Sequence, residues 1–171
     1  FNDGAAFGWS IKYSDGENEW DTGRRIWEAK DILPPNFLLL YGDNFTLFNF
    51  KTSLKYFQKS TGLTLLVTKK ERGEYKTSGN VKIRQGSEVQ AYSKSPNCKG
   101  FDYVEIGYML MNRDTLFAEY TDINCNLSEV MTSLAEFGKV NAVISTKPNF
   151  WMTDLSSWKQ AEQYLIKVSK L

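Results

Sequence analysis

The sequence has no histidine at all, which removes at a stroke Ser-His-Asp and Cys-His catalysis and any histidine-ligated metal site within the chain. It has only two cysteines, Cys98 and Cys125, without CxxC spacing. Neither a zinc ribbon nor a disulfide-stapled scaffold fits, and the pair reads as free or buried thiols of a reducing compartment. No charge of one sign prevails: 21 Lys and Arg stand against 20 Asp and Glu. The broad basic excess of a nucleic-acid binder is therefore missing, and an anionic ligand would have to be gripped locally. The longest apolar stretch, Phe37 to Tyr41, is far too short to span a bilayer, and no charged-then-apolar leader precedes it. Those absences point to the cytoplasm, with no nucleic-acid or membrane partner.

What is present is ordinary for one globular domain: 171 residues, 42% of them hydrophobic and 24% charged. Aromatics reach 15%, which fits a dense interior and aromatic-lined pockets equally well. The chain begins Phe1-Asn2-Asp3-Gly4, without Met, and runs almost at once into strand-like sequence. It reads as a cut through a domain.

Trp9 to Tyr13 alternates in strand fashion. Asp21-Thr22-Gly23 leads into a helix with Ile26, Ala29 and Leu33 on one side, stopped by Pro34-Pro35. Phe37 to Tyr41 is apolar on both faces, the pattern of a strand inside a parallel sheet covered by helices. A helix over Phe50 to Lys59, with Leu54, Tyr56 and Phe57 inward, and a strand over Leu63 to Thr68 follow. Short strands are expected at Val81 to Ile83 and Val89 to Tyr92, and a longer one at Tyr103 to Met111. Asp114 to Tyr120 is helical, Asn126 caps an amphipathic helix over Leu127 to Phe137, and Val140 to Ser145 is a strand. The last helix is expected to open at Ser157, with Gln160 completing a capping box. Helices alternating with strands predict one α/β domain over residues 1–171, a Rossmann-like, mixed and mostly parallel sheet flanked by helices.

In such sheets ligands bind beyond the carboxyl ends of strands. Tyr41-Gly42-Asp43-Asn44 is the segment placed best for that: a strand delivers a carboxylate behind a glycine that permits close approach. Asp43 there suits Mg²⁺, which takes one or two carboxylates plus substrate phosphates. The same four residues also read as a simple turn. Asp154 precedes the final helix; with Ser157 filling the cap, its carboxylate is left for another role, although acidic residues are common at helix starts. Thr22 and Gly23 open a helix whose N–H groups could face an anion or a base edge. Lys94 ends a strand and could neutralise a phosphate, or be solvated surface. Glu105 lies within an otherwise apolar strand and needs a partner or a pocket.

Taken in order, these segments resemble the sugar-1-phosphate nucleotidyltransferases, the nucleoside-diphosphate-sugar pyrophosphorylases. Asp3-Gly4 through Tyr13-Ser14, Asp21-Thr22-Gly23, Phe37 through Asp43, Tyr92-Ser93-Lys94-Ser95-Pro96, Glu105-Ile106-Gly107-Tyr108 and Trp151 through Leu165 carry the likeness, collinear along nearly the whole chain. The resemblance implies a nucleotide-diphospho-sugar transferase fold lacking its first strand-loop-helix units, because the family's "GGxGTRL" segment is absent. It implies Mg²⁺ on Asp43 and Asp154, sharing one ion on one side of the sheet. It places Thr22 and Gly23 against the base, Gly79 against the sugar, Lys94 on the sugar phosphate, and Glu105 on sugar hydroxyls, with Tyr41, Gly42 and Asn44 around the substrate. The implied reaction joins a nucleoside triphosphate and a sugar-1-phosphate into a nucleotide sugar and pyrophosphate, for surface polysaccharide synthesis. Heptose-1-phosphate guanylyltransferase-like members are the most similar in wording. The chain alone is expected to be inactive, its partners being those two substrates and the N-terminal segment of the same domain; a homo-oligomer is compatible with it. Ser93 before Lys94 and Arg24 after Gly23 depart from the pattern and leave sugar and base open. A nucleotide-sugar sensor without turnover and a GT-A-type glycosyltransferase are the alternatives, the latter weakened by the single Asp in Asp43-Asn44-Phe45.

Overall fold

The computed structural model describes residues 1–58, 62–70, 79–93, 95 and 100–169. In chain order these form α1 (Thr22–Glu28), β1 (Asn36–Leu40), β2 (Asn44–Thr46), α2 (Phe50–Gln58), β3 (Leu63–Lys69), β4 (Val81–Ile83), β5 (Val89–Tyr92), β6 (Tyr103–Asn112), α3 (Arg113–Ala118), α4 (Leu127–Glu136), β7 (Val140–Ile144), β8 (Asn149–Trp151) and α5 (Leu155–Val168).

Two apolar strands make the spine. β3 is buried from Leu63 to Thr68 and β6 from Val104 to Met111, because both have side chains packed on both faces. β6 pairs antiparallel with β3 along one edge, and with β1 and β4 along the other. β7 joins β3 in parallel and β5 joins β4 antiparallel, giving a six-stranded mixed sheet. From these pairings β1, β3, β4 and β7 run one way, while β5 and β6 run the other. The fold is α/β, with helices on the sheet.

The larger core lies on one face, where Leu63, Leu65, Val67, Met109 and Met111 meet Leu127, Val130, Met131 and Leu134 of α4. On the other face Leu66, Ile106 and Tyr108 pack with Phe48 and Trp151. α4 starts where its sequence says: the Asn126 side chain accepts from Ser128 N–H, and Glu129 reaches back to the Asn126 N–H, a reciprocal cap.

The structure corrects several sequence-based expectations. β1 is not an interior strand of a parallel sheet: its ladder partner is the antiparallel β6, and Leu40 is half exposed. Trp9 to Tyr13 forms no strand; its residues hold only local bonds, such as Ile11 N–H to the Asp3 carbonyl, and Trp9 and Tyr13 are exposed. α1 stops at Glu28, short of the two prolines, and Tyr56 of α2 faces outward. α5 opens at Leu155 rather than Ser157. A small antiparallel ribbon, β2 with β8, is too short to leave any periodicity in the sequence. Among the described residues no helix is long and apolar enough to cross a membrane, and Cys125 is a free thiol, Cys98 lying outside the described residues.

Candidate functional site

Beyond the carboxyl end of β1 lies an open cleft of about 600 Å³, lined by Thr22, Leu40, Tyr41, Gly42, Asp43, Asn126 and Ser128. Four residues singled out from sequence (Thr22, Tyr41, Gly42 and Asp43) thus meet in one place. They arrive from two elements: α1 presents Thr22, and the turn after β1 presents the other three. The third wall, Asn126 and Ser128, comes from the α4 cap and was legible in sequence only as a cap.

Gly42 suits close approach, since nothing lies within 4 Å of where a Cβ would sit. The Asp43 carboxylate is exposed and makes no hydrogen bond or ion pair among the described residues. Its backbone is fixed, with Met152 N–H donating to the Asp43 carbonyl at 2.7 Å. Tyr41 is half buried, and its phenol is pushed well above the ordinary range, first by burial and then by the negative charges of Glu105 and Asp43. Among the described residues the cleft wall carries one carboxylate and no cation.

Thr22 and Gly23 divide their roles. Thr22 lines the cleft, but its N–H is taken by the Asp21 carboxylate at 3.3 Å. The α1 N-terminus already carries an anion, and Asp21 also accepts from Asn126 Nδ2 at 2.8 Å. Gly23 is buried; a Cβ there would stand 2.1 Å from the Cys125 carbonyl oxygen, and its own carbonyl accepts from the Tyr120 hydroxyl. It is a packing glycine between α1 and the segment before α4. Arg24 turns away onto the Trp20 ring and pairs with Glu28.

Three other candidates are engaged by protein. Asn44 opens β2 and donates through Nδ2 to the Ile106 carbonyl at 3.2 Å, while its buried Oδ1 has no partner among the described residues. Gly79 is buried against Phe101, whose carbonyl oxygen would lie 2.0 Å from an added Cβ. Glu105 is 6% exposed and accepts the Gly107 N–H, so one carboxylate oxygen is held by its own strand. Lys94 lies outside the described residues.

Asp154 is the N-cap of α5, not a residue freed by Ser157. Its Oδ1 accepts from Ser157 N–H at 2.7 Å and from the Ser157 hydroxyl at 2.9 Å, which holds the carboxyl below its ordinary range. Asp43 and Asp154 nevertheless come to the same end of the β2–β8 ribbon. Asn44 is in register with Trp151, and Asp43 is bonded to Met152. The Asp43 carboxylate makes no hydrogen bond or ion pair among the described residues, whereas the Asp154 carboxylate is taken up in capping α5, with Ser157 and the Ser156 backbone as its partners. Among the described residues no group of three or more His, Cys, Asp or Glu is arranged around a metal.

No family model matches the chain, and comparison with curated proteins returns no match. Solved structures do match. A glucose-1-phosphate thymidylyltransferase candidate from Bacillus anthracis, in complex with sucrose, superposes with a TM-score of 0.77 at 14% identity, over 95% of this chain and 68% of that one. UTP-bound UGPase from Acinetobacter baumannii gives 0.67 at 14% identity, over 84% and 55%. HddC from Yersinia pseudotuberculosis complexed with GMP-PN gives 0.64 at 17% identity, over 86% and 64%. The chain spans from 55% to 68% of the length of these three proteins. It has the fold of the sugar nucleotidyltransferases, the α/β architecture that its motif order resembles.

Proposed function

We propose that the chain is the larger part of a sugar-1-phosphate nucleotidyltransferase and that the cleft beyond β1 takes the nucleotide. The observation that carries this is the meeting of Thr22, Tyr41, Gly42 and Asp43 in one open cleft at a strand's carboxyl end, on a fold shared with such proteins. Thr22, Asn126 and Ser128 offer neutral hydrogen-bonding groups suited to a base and ribose. Gly42 leaves room for the ligand to approach the main chain.

Mg²⁺ would be held by Asp43, with Asp154 as the second carboxylate at that end of the β2–β8 ribbon, and would supply neutralisation of phosphate charge. The reaction is attack of a sugar-1-phosphate oxygen on the α-phosphorus of the triphosphate, with pyrophosphate leaving. It needs alignment and charge neutralisation, not a protein nucleophile, so a histidine-free chain can host it. Tyr41 contributes a neutral hydroxyl beside Asp43, and the β2–β8 ribbon fixes the Asp43 backbone. The described part of the wall holds no cation, which leaves the triphosphate's remaining charge to other groups. Lys94 is one candidate; the other is the N-terminal segment that the family resemblance implies. On this reading the chain alone does not turn over. Guanine is the preferred base, supported by the GMP-PN complex of HddC, with a heptose-like sugar phosphate, use in surface polysaccharide synthesis and a cytoplasmic setting.

The absence of a cation from the described cleft wall favours one second reading, a nucleotide-sugar sensor without turnover. The test is pyrophosphate release from the chain joined to the N-terminal segment, screened over nucleoside triphosphates and sugar-1-phosphates with Mg²⁺. Release that needs both substrates and is lost in Asp43→Ala supports the transferase. Nucleotide-sugar binding with no release from any pair supports the sensor.

A further inference from the structure

A carboxylate inside an apolar strand costs free energy unless hydrogen bonds compensate it, and Glu105 is such a carboxylate. Its surroundings show what it does. Along β6 the pairing with β3 jumps from Leu65 opposite Met109 to Val67 opposite Glu105, so residues 106–108 bulge from the ladder. Gly107 sits in the bulge at φ 78°, a conformation that favours glycine. Its N–H is taken by the Glu105 carboxylate, while Asn80 Oδ1 takes the Glu105 N–H at 2.8 Å.

The bulge in turn is the seat of the segment that carries Asp43. Tyr41 N–H donates to the Gly107 carbonyl at 3.1 Å, and Asn44 Nδ2 donates to the Ile106 carbonyl at 3.2 Å. Thr46 N–H donates to the Tyr108 hydroxyl, which itself donates to the Asn44 carbonyl, both at 3.3 Å. Residues 41, 44 and 46 thus rest on three consecutive residues of β6, on both sides of Asp43. The fit leaves no slack: a Cβ at Gly107 would stand 2.1 Å from Asn44 Nδ2 and 3.0 Å from the Tyr41 ring.

We propose that Glu105 is a positioning residue, which sets the place of Asp43 by holding the 106–108 bulge on which residues 41–46 rest. The geometry stands whether or not the cleft takes a nucleotide; only its consequence for metal and substrate rests on the proposed function.

The test needs no ligand. Amide hydrogen exchange is read on the chain and on Glu105→Gln, Glu105→Ala and Gly107→Ala. Gln keeps an oxygen that can accept the Gly107 N–H, so protection at Gly107, Tyr41 and Thr46 stays near that of the parent. In Glu105→Ala, protection at all three falls at least tenfold, while β7 and α4 stay protected. Gly107→Ala, which disturbs the seat from the other side, exposes Tyr41 and Thr46 in the same way. Loss confined to Gly107, with Tyr41 and Thr46 unchanged in Glu105→Ala, overturns the proposal. So does equal loss in Glu105→Gln and Glu105→Ala, which would make the charge and not the bulge the determinant. If Glu105→Ala does not fold, Gly107→Ala with protected Tyr41 and Thr46 refutes it alone.

Discussion

Gly23→Ala tests whether this glycine serves packing or ligand. The added Cβ would lie 2.1 Å from the Cys125 oxygen, 3.0 Å from its carbonyl carbon and 3.1 Å from Leu127 N. The first distance is short of ordinary contact by more than 1 Å, and all three obstacles are main chain, which cannot swing aside as a side-chain tip can. Overpacking a tight site costs about 1–3 kcal/mol, and a backbone obstacle puts this case near ~3. Replacing glycine in a helix returns at most about 1 kcal/mol, less in a first turn. The net is about 2 kcal/mol of lost stability, or roughly 4–8 °C in Tm for a domain of this size. The assay is thermal unfolding by circular dichroism, with Gly42→Ala as the control. Space is open around Gly42, so its Tm should move by no more than about 2 °C. A Gly23→Ala chain as stable as its parent would refute the packing argument and return Gly23 to the ligand.

Asp154→Ala removes the α5 cap, so Ser157 N–H should exchange faster while α4 is unaffected; Asp154→Ser, which can still cap, should restore protection. Because the folded Asp154 carboxyl sits below its ordinary value of 3.8, its contribution is complete above that pH and is lost as pH falls through the folded value, so α5 should fray first there. Glu119 is held below its ordinary 4.5 chiefly by the Lys139 hydrogen bond, against the opposing effect of burial, and its contribution likewise fades on acidification below that value. Glu119→Gln should cost about 1 kcal/mol at neutral pH, with Lys139 partly in solvent, and should flatten stability below pH 4.5 in denaturant titrations at several pH values.

The order of elements was legible because periodicity and caps are local. The apolar runs of β3 and β6, the Asn126 cap of α4 and the short strands β4 and β5 stand where the residues place them. Tyr41, Gly42 and Asp43 were legible as a candidate site because a strand end followed by Gly-Asp is a positional signal, whereas only the family resemblance set Thr22 beside them in a nucleotide site. What escaped depends on long-range contact. Nothing near Gly23 in sequence announces the Cys125 carbonyl, and nothing near Gly79 announces Phe101. Asp154 and Ser157 can each cap in either order, and the chain uses both in one reciprocal box. Glu105 was marked as needing a partner, and one partner among the described residues is an amide two residues away, presented by a bulge that the β3 register creates. Asn126 and Ser128 were hidden in plain view, since a cap residue carries no sign that a cleft lies beside it.

Pyrophosphate release by the chain joined to the N-terminal segment that the family resemblance implies tests the central claim most directly. The account predicts release that requires Mg²⁺, one nucleoside triphosphate and one sugar-1-phosphate together, and that vanishes in Asp43→Ala while the fold persists. Release that survives Asp43→Ala, or none from any substrate pair, would contradict it.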